Sequence, residues 1–500
     1  MSDTRRFYIT TAIPYVNGDP HLGHALELVQ ADVLARHRRL RGDDVRFLSG
    51  TDDNALKNVD AAVAAGAPVA EFVAEKAQRF AELAEPLQLS TDDFIRTSTD
   101  PRHRPGVERL WRACAEAGDL YQRDYEGLYC SGCESFVARE DLVDGRCREH
   151  GEPPEQVAER NWFFRLSRYQ DALLGVIESG RLRIEPDHRR NEVLAFIRSG
   201  LDDFSVSRAQ QRARGWGIPV PGDPTQVIYV WFDALANYVT ALDGGSDSDD
   251  YRTWWRTSDE RLHVIGKGIL RFHAVYWPAI LLSAGQPLPT TIFVHEYVAV
   301  DGRKLSKSLD NAIDPLSVVE RFGVDALRWW FLRDVPRNGD ADFRDELITA
   351  RANELADGLG NLINRTIALV RRSRPDGLRP VSEPPAEAAR LRSLCDELSS
   401  TIDDALADFD LRAPTAALCE VIDEANRFVS ATRPWELAKT GRADDERLDV
   451  LLAVLLNACR VITAELRPFL PLAAERIAAA LDELDPRQGR TLFAKVEARV

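Results

Sequence analysis

The sequence predicts an α/β protein in which a parallel nucleotide-binding fold, split by an insertion, is followed by an α-helical bundle. Three observations support this fold class. Strand-like and helix-like segments alternate in the N-terminal part, a cysteine cluster with charged helices interrupts the alternation, and the signs of strands stop beyond residue 345.

The first part of the chain has the order strand, loop, helix, strand. An apolar run at 7–12 predicts a strand, turn residues at 14–20 predict a loop, and the periodicity at 24–41 predicts a helix. A second strand is predicted at 45–48, before a polar loop at 50–53. Because open α/β sheets bind ligands at the carboxyl ends of their strands, this loop is a candidate binding site.

Further strands are predicted at 227–232, 262–265 and 291–294, after the cysteine cluster. A proline-rich piece then precedes helical periodicity that runs nearly to the last residue. The predicted domains, in chain order, are the first half of the nucleotide-binding fold, the insertion, the second half of the fold, a region with a polar loop, and the helical bundle: 1–116, 117–220, 221–295, 296–345 and 346–500.

Composition limits the classes of function. A chain of 500 residues can bury several cores, and its net charge of −16 offers no overall attraction to a polyanion, so any RNA-binding surface must be local. The N-terminus lacks a basic segment followed by an apolar run, and we expect neither a signal peptide nor a membrane partner. Seven cysteines do not fit a secreted disulfide framework, which favours a cytoplasmic protein.

The segment Pro20-His21-Leu22-Gly23-His24 lies where the first predicted strand gives way to the first predicted helix. A helix start offers unpaired N–H groups to phosphates, and Gly23 lets a flat base approach the backbone. His21 and His24 can donate to charge that develops on a phosphate, which would suit adenylate formation. As an alternative, the two histidines are ordinary surface or capping residues.

A second candidate motif is the polar loop Lys304-Leu305-Ser306-Lys307-Ser308. Its lysines and serines can bind a triphosphate on a loop that closes and reopens during turnover. Taken alone, a solvated basic loop is the simpler interpretation. Taken together, the two motifs follow the first and the last predicted strands, and the pair resembles the HIGH and KMSKS signatures of class I aminoacyl-tRNA synthetases.

The cysteine cluster has the spacing of a metal site. Cys130-x2-Cys133-x13-Cys147-x2-His150 contains two knuckle-like pairs that can close a tetrahedral Cys3His site around one Zn²⁺ ion. Four protein ligands leave no position for water, so we expect the zinc to be structural. The alternative is a set of buried or unliganded thiols.

Among the class I aminoacyl-tRNA synthetases, the chain resembles the methionyl-tRNA synthetases over nearly its whole length. The resemblance is carried by the cysteine cluster and by AIPYVNGDPHLGH, GTDD, NWFFRLS, YVWFDALANY, FHAVYWPA and DGRKLSKS. It implies a class I Rossmann-type catalytic domain with a zinc-knuckle insertion, followed by an α-helical anticodon-binding bundle. It also implies that methionine, ATP with Mg²⁺, and methionine tRNA are the partners, with methionyl-adenylate as the intermediate; we expect a monomer.

The resemblance, not the composition, assigns roles to individual residues. The predicted catalytic residues are His21, His24, Lys304 and Lys307. The predicted ATP-binding residues are His21, Gly23, His24, Gly266, His295, Val298, Lys304, Ser306 and Lys307. The predicted anticodon-binding residues are Trp435, Asn361, Asn364 and Arg365. Trp435 could instead be an anchor of helix packing.

The predicted amino-acid pocket is largely apolar and aromatic. Its residues are Ile13, Tyr15, Asp52, Trp231, Ala234, Leu235, Tyr238, Ile269, Phe272 and His273. An unbranched thioether suits apolar and aromatic walls, and the Asp52 carboxylate suits the substrate α-ammonium. Each aromatic residue alone would more often belong to a hydrophobic core, so the prediction rests on the whole set.

The chain also departs from the family pattern. Asn54 and Ala55 stand where the family typically has histidine and glycine, Gly268 replaces an aspartate, and Glu296 replaces a glycine. These changes predict weaker polar contacts on the nucleotide side, at about 0.5–1.5 kcal/mol for each lost hydrogen bond.

Two other functions stay open from the sequence. A relative of the synthetases could activate methionine or an analogue for a small-molecule acceptor, which the altered loops would admit in place of tRNA. A non-catalytic relative could bind tRNA alone. Retention of His21, His24, Lys304 and Lys307 argues against this last function, because a protein that only binds tRNA has no chemical need for them.

Overall fold

The structure, a computed structural model, describes most of the chain. The described residues are 4–130, 135–137, 142–148, 151–243, 248–300, 302–304, 312–375, 377–379, 384–439, 446–484 and 492–496. Within these ranges, no helix combines the length and the apolar character that crossing a membrane requires.

The described residues fall into two compact units. The first takes in the described parts of Met1–Pro20, Gly42–Ala84 and Ser90–His295. The second takes in His21–Arg41, Glu85–Leu89 and the described parts of Glu296–Val500. The helix next to the first predicted strand therefore groups with the C-terminal part of the chain, which the sequence did not predict.

A six-stranded parallel sheet forms the centre of the first unit. In spatial order, its strands are Asp93–Arg96, Asp44–Thr51, Arg6–Thr11, Glu260–Gly266, Thr291–His295 and Arg183–Glu185. Residues such as Tyr8, Leu48 and Ile292 are buried in one apolar core, as expected for a parallel sheet covered on both faces. The strands predicted at 7–12, 45–48, 262–265 and 291–294 are confirmed.

Two parts of the sequence prediction need correction. Arg183–Glu185 pairs with Thr291–His295 as an edge strand, and Ile184 joins the main core, although both lie inside the predicted insertion 117–220. The strand predicted at 227–232 is right only at its start. Strand Asp223–Ile228 ends there, and a helix begins at Val230 because Phe232 and Asp233 donate their backbone N–H groups to Tyr229 O.

Helices and small antiparallel sheets complete the first unit. Its α-helices are Leu56–Ala64, Val69–Ala81, His103–Glu116, Gln170–Glu178, Asp187–Arg198, Val230–Leu235, Asn237–Thr240, Asp249–Tyr251 and Trp277–Ser283. Shorter 3-10 or π turns lie at Leu166–Tyr169, Arg252–Arg256, Lys267–Ile269 and Phe272–Tyr276. The additional strands are Leu120–Cys130, Ser135–Val137, Leu142–Val143, Arg146–Cys147, Glu155–Phe164, Phe204–Ser205, Ser207–Ala209, Pro219–Val220 and Asp223–Ile228.

The second unit is mainly helical. Its α-helices are Leu22–Leu40, Pro315–Phe322, Val324–Asp334, Asp345–Glu354, Asn361–Ser373, Ala389–Ala407, Arg412–Thr432, Pro434–Lys439, Glu446–Leu466 and Pro471–Glu483, with a π turn at Leu355–Gly360 and a 3-10 turn at Ala386–Ala388. A small sheet contains Val298–Val300, Arg303–Lys304 and Ala341–Asp342. Among the described residues beyond 345 every element is helical, as predicted.

The bundle helices form because their apolar residues recur at helical spacing. In Ala389–Ala407, for example, the buried face consists of Leu391, Cys395, Leu398, Ile402 and Leu406. Such a face is buried against neighbouring helices of the same unit, which supplies most of the stability of each helix.

Candidate active site

The amino-acid pocket predicted from the sequence lies within the first unit, beside the carboxyl ends of parallel strands. Strand Asp44–Thr51 leads directly into Asp52, and the Asp52 N–H donates to Pro14 O at 2.9 Å. This bond and a single β-bridge between Tyr15 and Asp52 join the loops that follow two neighbouring strands. Of the other pocket residues, Ala234, Leu235, Tyr238 and His273 are buried, and Ile13, Tyr15, Trp231, Ile269 and Phe272 are half-buried.

One wall of this pocket is a group of aromatic rings. Trp231 and Phe272 stack in parallel, with ring centroids 3.7 Å apart and an interplanar angle of 4°. Tyr15 and His273 meet the Trp231 ring edge-on, at centroid distances of 6.2 and 6.4 Å. Apolar ring faces and edges of this kind suit a polarisable thioether.

His273 is held in one tautomer. Its Nδ1 lies 3.0 Å from Ile269 O, a group that can only accept, so Nδ1 carries the proton. Its Nε2, 2.7 Å from the Tyr238 hydroxyl, therefore accepts from Tyr238. Burial lowers the pKa of His273 to about 4. The imidazole is consequently neutral at physiological pH and presents an uncharged ring to the pocket.

Replacing Tyr238 by Phe should lower the free energy of unfolding by about 1–3 kcal/mol, because the buried Nε2 of His273 would lose its donor. Urea unfolding measures the change. Tyr276→Phe is the matched control: the Tyr276 ring stacks on Phe204 at 4.3 Å, and its hydroxyl has no hydrogen-bond partner among the described residues. Equal effects of the two substitutions would contradict the role given to the Tyr238 hydroxyl.

The Asp52 carboxylate is buried and oriented by its own loop. Asp52 is 2% exposed, and its Oδ1 accepts a hydrogen bond from the backbone N–H of Asn54 at 3.2 Å. The Asn58 amide donates to Asp52 O at 2.9 Å, which fixes the backbone as well. This turn, in which an aspartate accepts from the residue two positions later, holds a negative charge at the pocket.

Neighbouring Asp53 has a different role. Its carboxylate pairs with Arg96 at 3.0 Å and accepts from Ser98 Oγ at 2.6 Å and Thr51 Oγ1 at 2.7 Å. These three partners occupy the hydrogen-bonding oxygens of the Asp53 carboxylate. Asp53 therefore fixes the loop, and Asp52 is the better candidate for a substrate-binding group.

Asn54, one of the departures from the family pattern, has partners within the protein, and the weaker contacts to the nucleotide stay a prediction. Asn54 Nδ2 donates to Asp233 Oδ2 at 2.7 Å, and the other oxygen of Asp233 lies 2.6 Å from His103 Nε2. Neither His103 nor Asp233 is predicted from the sequence. The one available sign is the carboxylate of Asp233 in the largely apolar segment YVWFDALANY.

The other departures from the family pattern have varied settings. Ala55 precedes helix Leu56–Ala64 and makes no side-chain capping bond. Gly268 is exposed in the turn Lys267–Ile269, and Glu296 is buried. Ala55 is fully buried in an apolar cluster with Tyr229 and Val230, a setting that suits its methyl group.

The two histidines of the first motif, His21 and His24, contact each other at the start of helix Leu22–Leu40, in the second unit. His21 Nδ1 accepts from Gly23 N–H and His24 Nδ1 accepts from His21 N–H, both at 3.1 Å, and the rings stack at 3.8 Å. Because each Nδ1 accepts, Nε2 carries the proton of each neutral ring and is a donor. A Cβ at Gly23 would come within 2.9 Å of the His21 ring, which explains the glycine.

The remaining predicted ATP-binding residues are divided between the two units. Gly266 and His295 end two central strands of the first unit. In the second unit Val298 is buried, and Lys304 ends a short strand whose backbone pairs with Ala299. Ser306 and Lys307 lie outside the described residues.

Two of the four predicted zinc ligands are described. Cys130 ends strand Leu120–Cys130, Cys147 lies in the hairpin of Leu142–Val143 and Arg146–Cys147, and both are buried. The hairpin turns at Asp144-Gly145, where both φ angles are positive, as expected for an Asp-Gly turn. Cys133 and His150 lie outside the described residues, and the described residues alone contain no group of three potential ligands.

Two of the predicted anticodon residues, Arg365 and Trp435, lie close together in the helical bundle. Helix Arg412–Thr432 stops at Arg433, whose φ of 45° is left-handed, and Trp435 follows in the next helix. The Arg365 guanidinium lies 5.5 Å from the centroid of the half-buried Trp435 ring. Asn361 and Asn364 precede Arg365 on the same helix, Asn361 exposed and Asn364 half-buried.

Two models of known protein families match the chain along most of its length. A family model described as "tRNA synthetases class I (M)" matches residues 7–147 and 132–367, and one described as "Anticodon binding domain of methionyl tRNA ligase" matches 381–497. Together they span nearly the whole chain.

Individual relatives point the same way. Methionine--tRNA ligase of Rhizobium meliloti (strain 1021) is 41% identical over 484 residues, which cover 95% of this chain and 92% of the relative. The same enzyme of Brucella suis biovar 1 (strain 1330) is 40% identical, with 99% and 94% covered. The structure of Mycobacterium tuberculosis methionyl-tRNA synthetase bound by methionyl-adenylate has a TM-score of 0.91 at 39% identity, with 98% of this chain and 96% of that chain covered. The chain therefore belongs to the methionyl-tRNA synthetases, a family of class I tRNA synthetases.

Proposed function

We propose that this chain activates methionine with ATP to methionyl-adenylate and transfers the methionyl group to methionine tRNA. As a member of its family it is a ligase that forms an ester between an amino acid and tRNA. The observation that carries the proposal at the level of residues is the pocket of the first unit. It combines the stacked Trp231 and Phe272 rings, a neutral His273 and the buried carboxylate of Asp52.

Each pocket residue has a defined task in this proposal. The aromatic wall contacts the thioether, and Asp52 binds the α-ammonium. The substrate carboxylate is then oriented to attack the α-phosphorus of ATP, and pyrophosphate leaves with the electrons of the broken P–O bond. In the second step the terminal adenosine of the tRNA attacks the activated carbonyl, and AMP leaves.

The proposed nucleotide-binding residues are those predicted from the sequence. The Nε2–H groups of His21 and His24 would donate to phosphate oxygens, and both donors are preset by the tautomers described above. Lys304 and Lys307 would neutralise the departing pyrophosphate. The remaining contacts to ATP would come from Gly23, Gly266, His295, Val298 and Ser306. Mg²⁺ would arrive with ATP, since it prefers phosphate oxygens and retains several waters.

Zinc would be held by Cys130, Cys133, Cys147 and His150. Three thiolates and one imidazole fit its tetrahedral coordination. Two features of the described residues support the assignment: Cys130 and Cys147 are both buried, and Gly151 N–H donates to Cys147 O at 2.8 Å. The metal would stabilise the small sheets of this region and take no part in the reaction.

Metal analysis of the purified chain should therefore find one zinc ion per chain. Cys147→Ser should lose it, because a hydroxyl is a much weaker zinc ligand than a thiolate. Cys395→Ser is the control, since Cys395 is a buried residue of a bundle helix and should leave the zinc content unchanged. Full zinc in the Cys147→Ser variant would refute the ligand set.

Trp435, Arg365, Asn361 and Asn364 would read the anticodon. An indole can stack on an unpaired base, and asparagine and arginine can bind base edges and phosphates. The short distance between the Arg365 guanidinium and the Trp435 ring supports a joint site. We also propose a cytoplasmic monomer, which size-exclusion chromatography with light scattering would test.

Trp435→Ala should weaken tRNA binding by about 1–3 kcal/mol, the value of one stacked base. Charging of methionine tRNA should fall accordingly, while tRNA-independent pyrophosphate exchange should keep its rate. Leu472→Ala, which changes an exposed apolar residue of the same bundle, is the control. A loss of exchange in Trp435→Ala would show instead that this residue is a packing anchor.

The decisive experiment is amino-acid-dependent exchange of labelled pyrophosphate into ATP, followed by charging of total tRNA. Exchange with methionine but not with the other standard amino acids, together with charging, is the expected result. Exchange without charging would favour a ligase with a small-molecule acceptor. The absence of exchange with every amino acid would leave a non-catalytic tRNA-binding relative.

A further inference from the structure

We propose that the buried pair His103 and Asp233 positions the ammonium-binding carboxylate of Asp52 through the side chain of Asn54. This inference rests on the proposed function, because it takes Asp52 as the group that binds the substrate ammonium. The three residues are positioning residues: none of them needs to touch the reacting atoms.

The pair is completely enclosed. His103 is 0% and Asp233 1% exposed, and His103 Nε2 lies 2.6 Å from Asp233 Oδ1. A carboxylate only accepts, so His103 Nε2 carries a proton and donates it to this bond. On the other side of the imidazole, Nδ1 lies 2.7 Å from Thr240 Oγ1. His103 is thus fixed at both nitrogens, and it fixes Asp233 in turn.

Asn54 connects this pair to the substrate site. Its Nδ2 donates to Asp233 Oδ2 at 2.7 Å and to Thr97 O at 3.4 Å, which engages both of its N–H groups. The backbone N–H of the same residue donates to Asp52 Oδ1 at 3.2 Å. Because the side chain is held at its amide, the backbone of Asn54 cannot turn away from Asp52 without breaking the bond to Asp233.

The position of Asp233 gives the network a further consequence. Asp233 lies in helix Val230–Leu235, which also carries Trp231 and Ala234 of the apolar wall. The bond from Asn54 to Asp233 therefore ties the ammonium-binding loop to the helix that would contact the thioether. Such a link fixes the distance between the two ends of the pocket, and so the length of side chain that fits.

The test exchanges donor and acceptor across the Asn54–Asp233 bond. Asn54→Asp breaks the bond because two carboxylates, which only accept, then face each other. Asp233→Asn breaks it because two amide N–H groups, which only donate, then face each other. In the double variant the polarity of this bond is reversed: the new amide at position 233 accepts from His103 through its oxygen and donates to the new carboxylate at position 54. Only the longer bond from position 54 to Thr97 O, 3.4 Å in the wild type, is not restored. Asn457→Asp, at an exposed site of a bundle helix, controls for added negative charge.

Pyrophosphate exchange should separate the effects on the two substrates. Each single variant should raise the KM for methionine by about 10-fold to 100-fold, the loss expected for a hydrogen bond to a charged group, with a change in the KM for ATP below about 3-fold. The double variant should recover most of the methionine KM, because the coupled residues compensate each other. Competitive inhibition by methioninol, which keeps the ammonium and lacks the carboxylate, should follow the same pattern.

Several results would overturn the proposal. An unchanged methionine KM in both single variants would do so, as would equal rises for methionine and ATP. If the single variants have a lower melting temperature and the double variant does not recover the methionine KM, the pair serves fold stability alone. If a single variant does not fold, His103→Gln, which keeps a donor to Asp233, must show a smaller methionine effect than His103→Leu. Absence of methionine-dependent exchange in the wild-type chain would instead refute the proposed function itself.

Discussion

Replacing Arg328 by Met should lower the free energy of unfolding by about 3–5 kcal/mol, because it leaves a buried carboxylate without its main partner. Arg328 and Asp32 both have side chains that are 0% exposed, and they pair at 2.7 Å within the second unit. The guanidinium also donates to three backbone carbonyls: Phe469 O at 2.8 Å, Leu87 O at 2.9 Å and Pro468 O at 3.1 Å.

The electrostatics of this group explain the size of the effect. Burial lowers the pKa of Arg328 and the nearby Asp32 carboxylate opposes that shift, so the guanidinium stays charged. Without it, the nearest cation to Asp32 is Arg36 at 2.9 Å, which is one turn along the same helix and partly exposed to water. Three buried carbonyls would lose their donor at the same time, at a cost that adds to the unpaired charge.

Urea unfolding followed by tryptophan fluorescence suits this measurement, since the buried Trp329 and Trp330 neighbour Arg328 in its own helix. Arg328→Lys should be intermediate, because an ammonium keeps the charge but lacks the planar fork of donors. Arg392→Met, at an exposed position of helix Ala389–Ala407, should stay within about 0.5 kcal/mol of the wild type. An equally small effect of Arg328→Met would mean that the ion pair only offsets its own desolvation.

The strands that could be predicted from the sequence are the buried ones, because each of them is a largely apolar run of residues. The runs at 7–12, 45–48, 262–265 and 291–294 are apolar because both faces of a parallel sheet are covered. Arg183–Glu185 has only three residues, two of them charged, so no local pattern marks it as an edge strand. At 227–232 the same apolar letters continue across the turn from a strand into a helix, and periodicity cannot find that boundary.

The candidate site shows the same division. The family resemblance assigns the aromatic residues of the pocket one by one, and the structure brings Trp231, Phe272 and His273 together, while their role in binding stays a prediction. The contact between Asn54 and Asp233 was not predictable, because 179 positions separate the two residues in the chain. Only the tertiary structure reveals that asparagine at this position has a buried acceptor. The predicted weakening of polar contacts to the nucleotide stays a prediction, because this bond lies within the protein.

Replacing Asp52 by Asn should lower kcat/KM for methionine in pyrophosphate exchange by roughly 10²–10³-fold. Removal of one partner of a buried, hydrogen-bonded charge pair costs about 2–5 kcal/mol, and the substrate ammonium would be left in the pocket without its counter-charge. The amide is nearly isosteric, and its oxygen can still accept the backbone N–H of Asn54 that Asp52 Oδ1 accepts at 3.2 Å. The loop should therefore keep its shape, and the loss should measure the charge alone.

Asp202→Asn is the matched control, because it makes the same chemical change at an exposed site of the first unit and should alter kcat/KM by less than about 2-fold. The KM for ATP should change little in either variant, since the lost charge faces the amino acid. Methionine amide, which keeps the ammonium, should lose affinity for the Asp52→Asn variant as methionine does. A normal methionine KM in that variant would move the ammonium site to another acceptor, and the backbone carbonyls of the pocket would then be the groups to test.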